Sequence, residues 1–288
     1  MTYRRRASPL HAARASVALA WCAALGAAAL VSWHPLVLAA VLLTALAAAA
    51  AAGVGREVGR FTLLVGVPIA VLFMLVNPLI SREGLTVVAR LGGVGPVPQL
   101  DVTAEAIAYG AVTGLRALAI VACSALYFSA VDPDAVLRLF RRFGFRSALT
   151  ASLTTRLVGV LAAAARRLAE GQRCRPGPPA SRLAIVRAVT ASALDRAGDV
   201  AAALELRGYG RAAPPARARA PWSRHDLAFA LSAAAVAALA AGAQAGGLAG
   251  FDAYPRVALQ GGAGAAAVAA ALALAGLAPF LDRRGIAR

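Results

Sequence analysis

Leu149-Thr150-Ala151-Ser152-Leu153-Thr154-Thr155-Arg156-Leu157-Val158-Gly159-Val160-Leu161-Ala162-Ala163-Ala164-Ala165 is the stretch on which the topology of this 288-residue chain turns. Its length and apolar content suit a membrane crossing, which needs roughly 20 residues to pass about 30 Å of hydrocarbon. Two features point the other way. Arg156 lies at its centre, and a crossing here would export the arginine-rich segment 166–224. Short basic segments are retained on the cytoplasmic side. The stretch therefore reads as part of a long helix, 147–173, held at or inside the cytoplasmic boundary. Leu149, Leu153, Leu157, Val160, Leu161, Ala164 and Leu168 recur along it at three-to-four spacing, which is the helical period.

Outward from this polar middle the chain becomes apolar. It is 60% hydrophobic and only 15% charged, against about a quarter charged in a soluble protein. Four runs toward the amino terminus are long enough to span or nearly span a bilayer: 15–31, 36–52, 61–80 and 106–131. The basic Tyr3-Arg4-Arg5-Arg6 before the first run has the look of a signal peptide. However, the second run follows after only Trp33-His34-Pro35, so a retained helical hairpin is expected, with Trp33 at the headgroup boundary. Gly53-Val54-Gly55-Arg56-Glu57-Val58-Gly59-Arg60 reads as an internal turn. It is not a phosphate loop, because no strand precedes it and no lysine follows. Residues 87–100, broken by glycine and proline, read as an external or interfacial excursion. Two more apolar runs, 227–248 and 257–281, flank a loop at Phe251-Asp252-Ala253-Tyr254-Pro255.

These readings give an all-α polytopic membrane protein with about six transmembrane helices plus a cytoplasmic helical coupling region. The expected divisions are an N-terminal membrane part, 1–131, with about four spans, coupling helices at 132–224, and a C-terminal membrane part, 225–288, with about two. Of the 30 basic residues, all arginine, 17 lie within 132–224. An even number of spans keeps that segment and both termini cytoplasmic in a bacterial plasma membrane. The net charge of +17 is then a topology signal and not a nucleic-acid footprint, since few aromatics sit among the arginines.

Composition also narrows the chemistry. The absence of lysine removes a Walker P-loop and a Schiff-base site. Cys22, Cys123 and Cys174 are far apart with no CxxC spacing, so neither a disulfide framework nor a zinc site is expected. His11, His34 and His225 are scattered, no HExxH occurs and no carboxylates cluster. We therefore expect no catalytic residue, no metal site and no enzyme activity. A secondary transporter or channel with its own substrate path is the alternative. It usually leaves acids inside the spans, and these apolar runs have none away from their ends.

Within the middle, Asp132-Pro133-Asp134 supplies an N-cap and a first-turn proline. Val136, Leu139, Phe140 and Phe143 then line one face, opposite Arg138, Arg141 and Arg142, until Gly144. Such an amphipathic helix is a membrane-surface or docking element. Pro176-Gly177-Pro178-Pro179 breaks the chain before a further helix, 181–207, which Gly208 caps. Leu183, Val186, Val189, Ala193, Val200 and Leu204 form its apolar stripe. In the fourth span Arg116 is the one charge well inside. A central arginine costs roughly 2.5–3.5 kcal/mol on insertion scales, so it is expected to face protein or snorkel, as a structural residue.

Arg175 and Arg207 each end a helix. An arginine there complements the negative end of the helix dipole. Two of them, each in a local frame that holds a glutamate and with a glycine nearby, also suit paired docking, because a guanidinium fork recognises carboxylates and carbonyls across an interface. The residues Gln172-x-x-Arg175 and Glu205-Leu206-Arg207-Gly208-Tyr209-Gly210 resemble the two Ala-Arg-Gly signatures of the transmembrane T component of energy-coupling factor (ECF) transporters. Asn77-Pro78 with Gly84, Tyr109-Gly110 through Arg116, Asp132-Pro133-Asp134, and Asp226 opening a span follow that family's order. Cys174 and Leu206 stand where the signatures have alanine, and Pro176 where the first has glycine.

The resemblance implies a non-catalytic coupling subunit that binds no cofactor itself. Its partners are two ABC-type ATPase subunits, which use ATP, and a membrane S component that captures a vitamin or a cobalt or nickel ion. Arg175, Arg207, Gly208, Glu205 and Gln172 would dock the ATPases. Val136, Leu139, Phe140, Leu153 and Leu157 would grip the S component.

Overall fold

The computed structural model describes residues 6–80, 84–91, 100–140, 145–174, 181–206, 221–252, 258–259 and 261–282. The chain divides into two compact units, Met1–Val136 with Trp222–Arg288, and Leu137–Pro221.

The first unit is a bundle of apolar helices. A short helix α1 (Pro9–Ala12), capped by the Ser8 hydroxyl, leads into α2 (Ala15–Val31). Next comes α3 (Pro35–Ala51), whose N-cap is His34. The segment read as a turn in fact opens a helix. α4 (Gly55–Phe61) passes through one π-helical stretch (Thr62–Gly66) into α5 (Val67–Ile80), giving 26 continuous residues from Gly55 to Ile80. The turn itself is shorter than expected: Gly53, at φ +77°, reverses the chain and its carbonyl accepts from Arg6.

The excursion that follows is a small antiparallel hairpin, β1 (Val87–Leu91) with β2 (Leu100–Thr103). α6 (Ala104–Ala130) returns through the bundle. After the second unit, α10 (Arg224–Ala245), a two-residue ladder of β3 (Phe251–Asp252) with β4 (Ala258–Leu259), and α11 (Gly262–Leu277) complete it. A final 3₁₀ turn spans Ala278–Phe280. Four of these helices are long and apolar enough to cross a membrane, and α2 and α3 are shorter apolar helices of 17 residues.

α6 is central, packing on α5, α3 and α2, while α2 pairs with α10 and α3 with α11. Apolar side chains find no hydrophobic advantage inside lipid, so such helices associate by close packing and a few polar contacts. Both are present. Gly110 and Gly114 form a G-x-x-x-G step on α6, and a side chain at Gly114 would lie 2.7 Å from the Ala70 carbonyl oxygen of α5. At the centre Trp21 stacks edgewise on Phe229 and Phe280. Its indole N–H donates to Ser232 Oγ at 2.9 Å, and Ser232 passes a bond to the Ala275 carbonyl at 2.6 Å. Thus α2, α10 and α11 are joined by one short polar relay.

The second unit contains the second half of α7 (Pro133–Phe140), α8 (Phe145–Arg173) and α9 (Arg182–Leu206), with α8 packed on α9. As expected, Asp132 caps α7, its carboxylate accepting from the Asp134 N–H at 3.0 Å. Ser181 opens α9 in the same way, accepting from Ala184 N–H at 3.2 Å.

Candidate functional site

Of the docking residues expected from the sequence, the structure describes Gln172 on α8 and Glu205 on α9. α8 ends at Arg173, where Cys174 N–H still reaches the Gly171 carbonyl at 3.3 Å, and α9 is described as far as Leu206. Gln172 is half-buried and Glu205 exposed. Arg175, Arg207 and Gly208 lie outside the described residues.

The apolar faces of these helices divide unequally. On α9, Ile185, Val189, Ala193, Val200 and Leu204 are half-sheltered. Leu183, Val186 and Leu194 are 59%, 59% and 69% exposed, so Leu183 and Val186 stand off the sheltered stripe. Among the residues expected to grip an S component, Leu139 and Leu157 are half-buried. Val136 is buried within the core of the first unit. The side chains of Phe140 and Leu153 lie outside those described.

The chain leaves the first unit near Asp132–Val136 and re-enters it at Trp222, both at the end of the bundle that carries Arg6, Arg14, Arg56, Arg60 and Arg224. There Asp226, 2% exposed, is fully engaged. It accepts from the Arg14 backbone N–H at 2.7 Å and from Ser223 N–H at 3.0 Å, and Arg14 Nε lies 3.1 Å from its second oxygen. The guanidinium of Arg14 also sits over the Trp222 ring. Ser223 and Asp226 form a reciprocal capping box. The Ser223-x-x-Asp226 spacing is the sequence signal for that box, and nothing in the sequence signals Arg14 as its partner. Arg6 makes a second tie at this end, pairing with Glu57 at 2.7 Å.

At the opposite end, Arg116 donates from Nε to the Ala29 carbonyl at 3.1 Å and lies 4.2 Å from the centre of the Trp33 ring. Trp33 in turn stacks on Tyr109. The arginine therefore meets a carbonyl and an aromatic face inside protein. Trp33, Tyr109, Gln244, Phe251 and Asp252 line a cavity of about 480 Å³ here, a feature without a sequence signal because its walls come from four separate segments.

His34, 1% exposed, accepts through Nδ1 from the Leu36 N–H at 3.3 Å, and burial pushes its pKa below the usual 6.5. Glu105 is also buried, and accepts from the Thr86 N–H at 3.2 Å. The two buried carboxylates among the described residues, Glu105 and Asp226, thus occupy the first turns of α6 and α10, and each is held by backbone donors. No group of three or more metal-ligating side chains occurs among the described residues.

The family model described as CbiQ, cobalt transport protein, matches residues 6–216. No curated protein matches the chain.

Proposed function

Because the chain belongs to the cobalt transport protein family, the T-component family of energy-coupling factor transporters, we propose that it is the membrane coupling subunit of an ECF-type ABC importer. In this role it receives two cytoplasmic ATPase subunits at Arg175 and Arg207, with Gln172, Glu205 and Gly208 completing the contacts. It passes their motion to a separate S component that binds the cargo. The cargo is a transition-metal ion such as cobalt, following the family's description, or a vitamin. The basic end of the bundle faces the cytoplasm of a bacterial cell, together with both termini.

The observation that carries this reading is the family match over residues 6–216, joined by a second unit in which the long helices α8 and α9 pack on each other. When ATP draws two nucleotide-binding subunits together, helices anchored to each must shift relative to one another. The engaged state of Glu105 and Asp226 also speaks against an ion-coupled carrier, which needs an acid free to exchange protons or sodium. Coupling residues on the S-component side would be Leu139, Phe140, Leu153 and Leu157. Val136, being buried, would act by holding the start of α7.

The test is co-purification with the ABC ATPases encoded beside this gene. The unmodified chain is expected to retain them, and Arg175→Glu with Arg207→Glu to lose them while still inserting into the membrane. Recovery of the ATPases by the double variant would refute the docking assignment.

A further inference from the structure

The helix running from Gly55 to Ile80 differs from the other long spans. Only 11% of its apolar stretch is buried, against 39% in each of the other three. It meets α6 on one side, across Gly110 and Gly114, and turns Leu63, Leu64, Val71, Leu72 and Leu75 outward. Residues 63–72 rise about 14 Å along the axis, close to the depth of one leaflet of a hydrocarbon core about 30 Å thick.

At the start of this face stand Arg56 and Arg60. One turn apart, they share a side of the helix, and both are exposed. Val58, fully buried, fixes the opposite side inward. Among the described residues neither arginine has a hydrogen-bond or ion-pair partner. The carboxylate nearest in sequence, Glu57, is taken by Arg6. A side chain at Gly59 would meet nothing within 4 Å, so open space adjoins the pair. Two guanidinium forks with no carboxylate partner among the described residues therefore sit at the head of an acyl-chain-length apolar face.

We propose that Arg56 and Arg60 form a headgroup site for an anionic phospholipid, its phosphate bridging the two guanidinium groups and its acyl chains lying along the face that begins at Leu63 and Leu64. Guanidinium and phosphate match as charge-assisted, fork-shaped partners. The lipid ties the start of α4 to the leaflet and covers a helix whose main neighbour among the described residues is α6. The site depends on the chain being a membrane protein and not on the ATPase docking.

The experiment is native mass spectrometry of the purified full chain in micelles doped with phosphatidylglycerol or phosphatidylcholine. The unmodified chain is expected to retain phosphatidylglycerol preferentially. Arg56→Gln with Arg60→Gln should bind it about 25-fold more weakly, from about fivefold for each basic contact at the membrane surface. Arg56→Lys with Arg60→Lys should keep most of the preference, and Arg166→Gln with Arg167→Gln, two exposed arginines of α8, should leave it unchanged. Inorganic phosphate should not compete at equal concentration. Equal retention by the Arg56/Arg60 glutamine variant, an equal loss in the α8 variant, or displacement by inorganic phosphate would each overturn the proposal.

Discussion

α6 and α9 are of similar length, 27 and 25 residues, yet they are built on opposite plans. α6 buries Ala119, Ala122, Ala125 and Leu126 completely and runs against three neighbours. α9 has no buried side chain among those described, and it leaves Leu183, Val186 and Leu194 in the open. The first unit satisfies its apolar surface internally and with lipid. The second carries apolar surface on a charged helix that its own packing leaves uncovered among the described residues. Exposed apolar patches of that kind mark surfaces that other proteins cover. In the proposed reading, the ATPases and the S component would supply that cover.

The comparison breaks most readily at glycines. In the first unit Gly114→Ala would press a methyl against the Ala70 backbone, and is expected to cost about 1–3 kcal/mol. A fall in the denaturation midpoint of the detergent-solubilised chain checks it. In the second unit a methyl at Gly159 or Gly198 meets nothing within 4 Å. Gly159→Ala and Gly198→Ala should therefore stabilise their helices by up to about 1 kcal/mol each, read as a gain in helicity on heating. A loss of stability there would show that the second unit is packed as tightly as the first.

A smaller effect belongs to His34. Its folded pKa lies below 6.5, so the folded state favours the neutral ring. The contribution is fully present above pH 6.5 and is lost as pH falls from there through the folded pKa. The melting temperature should decline over that acid range. His34→Asn, which keeps an N-cap acceptor for Leu36 without titrating, should flatten the decline. An unchanged pH profile in that variant would place the acid sensitivity elsewhere.

Most of the architecture was legible in the sequence because membrane helices announce themselves by length and apolarity. The long helix through Arg156 and the Asp132 cap are where spacing and capping residues put them. What escaped has a physical reason in each case. Gly55 to Arg60 looked like a turn because two glycines and two arginines mask a helical start. The two strands of the β1–β2 hairpin depend on pairing between segments that glycine and proline seemed to break. The Arg14–Asp226 tie joins residues 212 positions apart, and no local pattern encodes such a pairing. The same holds for the seat of Arg116 over Trp33, where the sequence left open whether the arginine faces protein or snorkels, and named no partner. Arg175 and Arg207 were read from a motif alone, and both lie outside the described residues.

The central claim is that α8 and α9 carry ATP-driven motion. Its most direct measurement is the distance between spin labels at Glu170→Cys on α8 and Ala203→Cys on α9, both exposed positions. The native cysteines would be replaced and the chain assembled with its ATPases in lipid nanodiscs. The account predicts that the distance distribution shifts when ATP is added and returns after hydrolysis. A distribution that is identical with and without ATP, in a complex shown to hydrolyse it, would contradict the account.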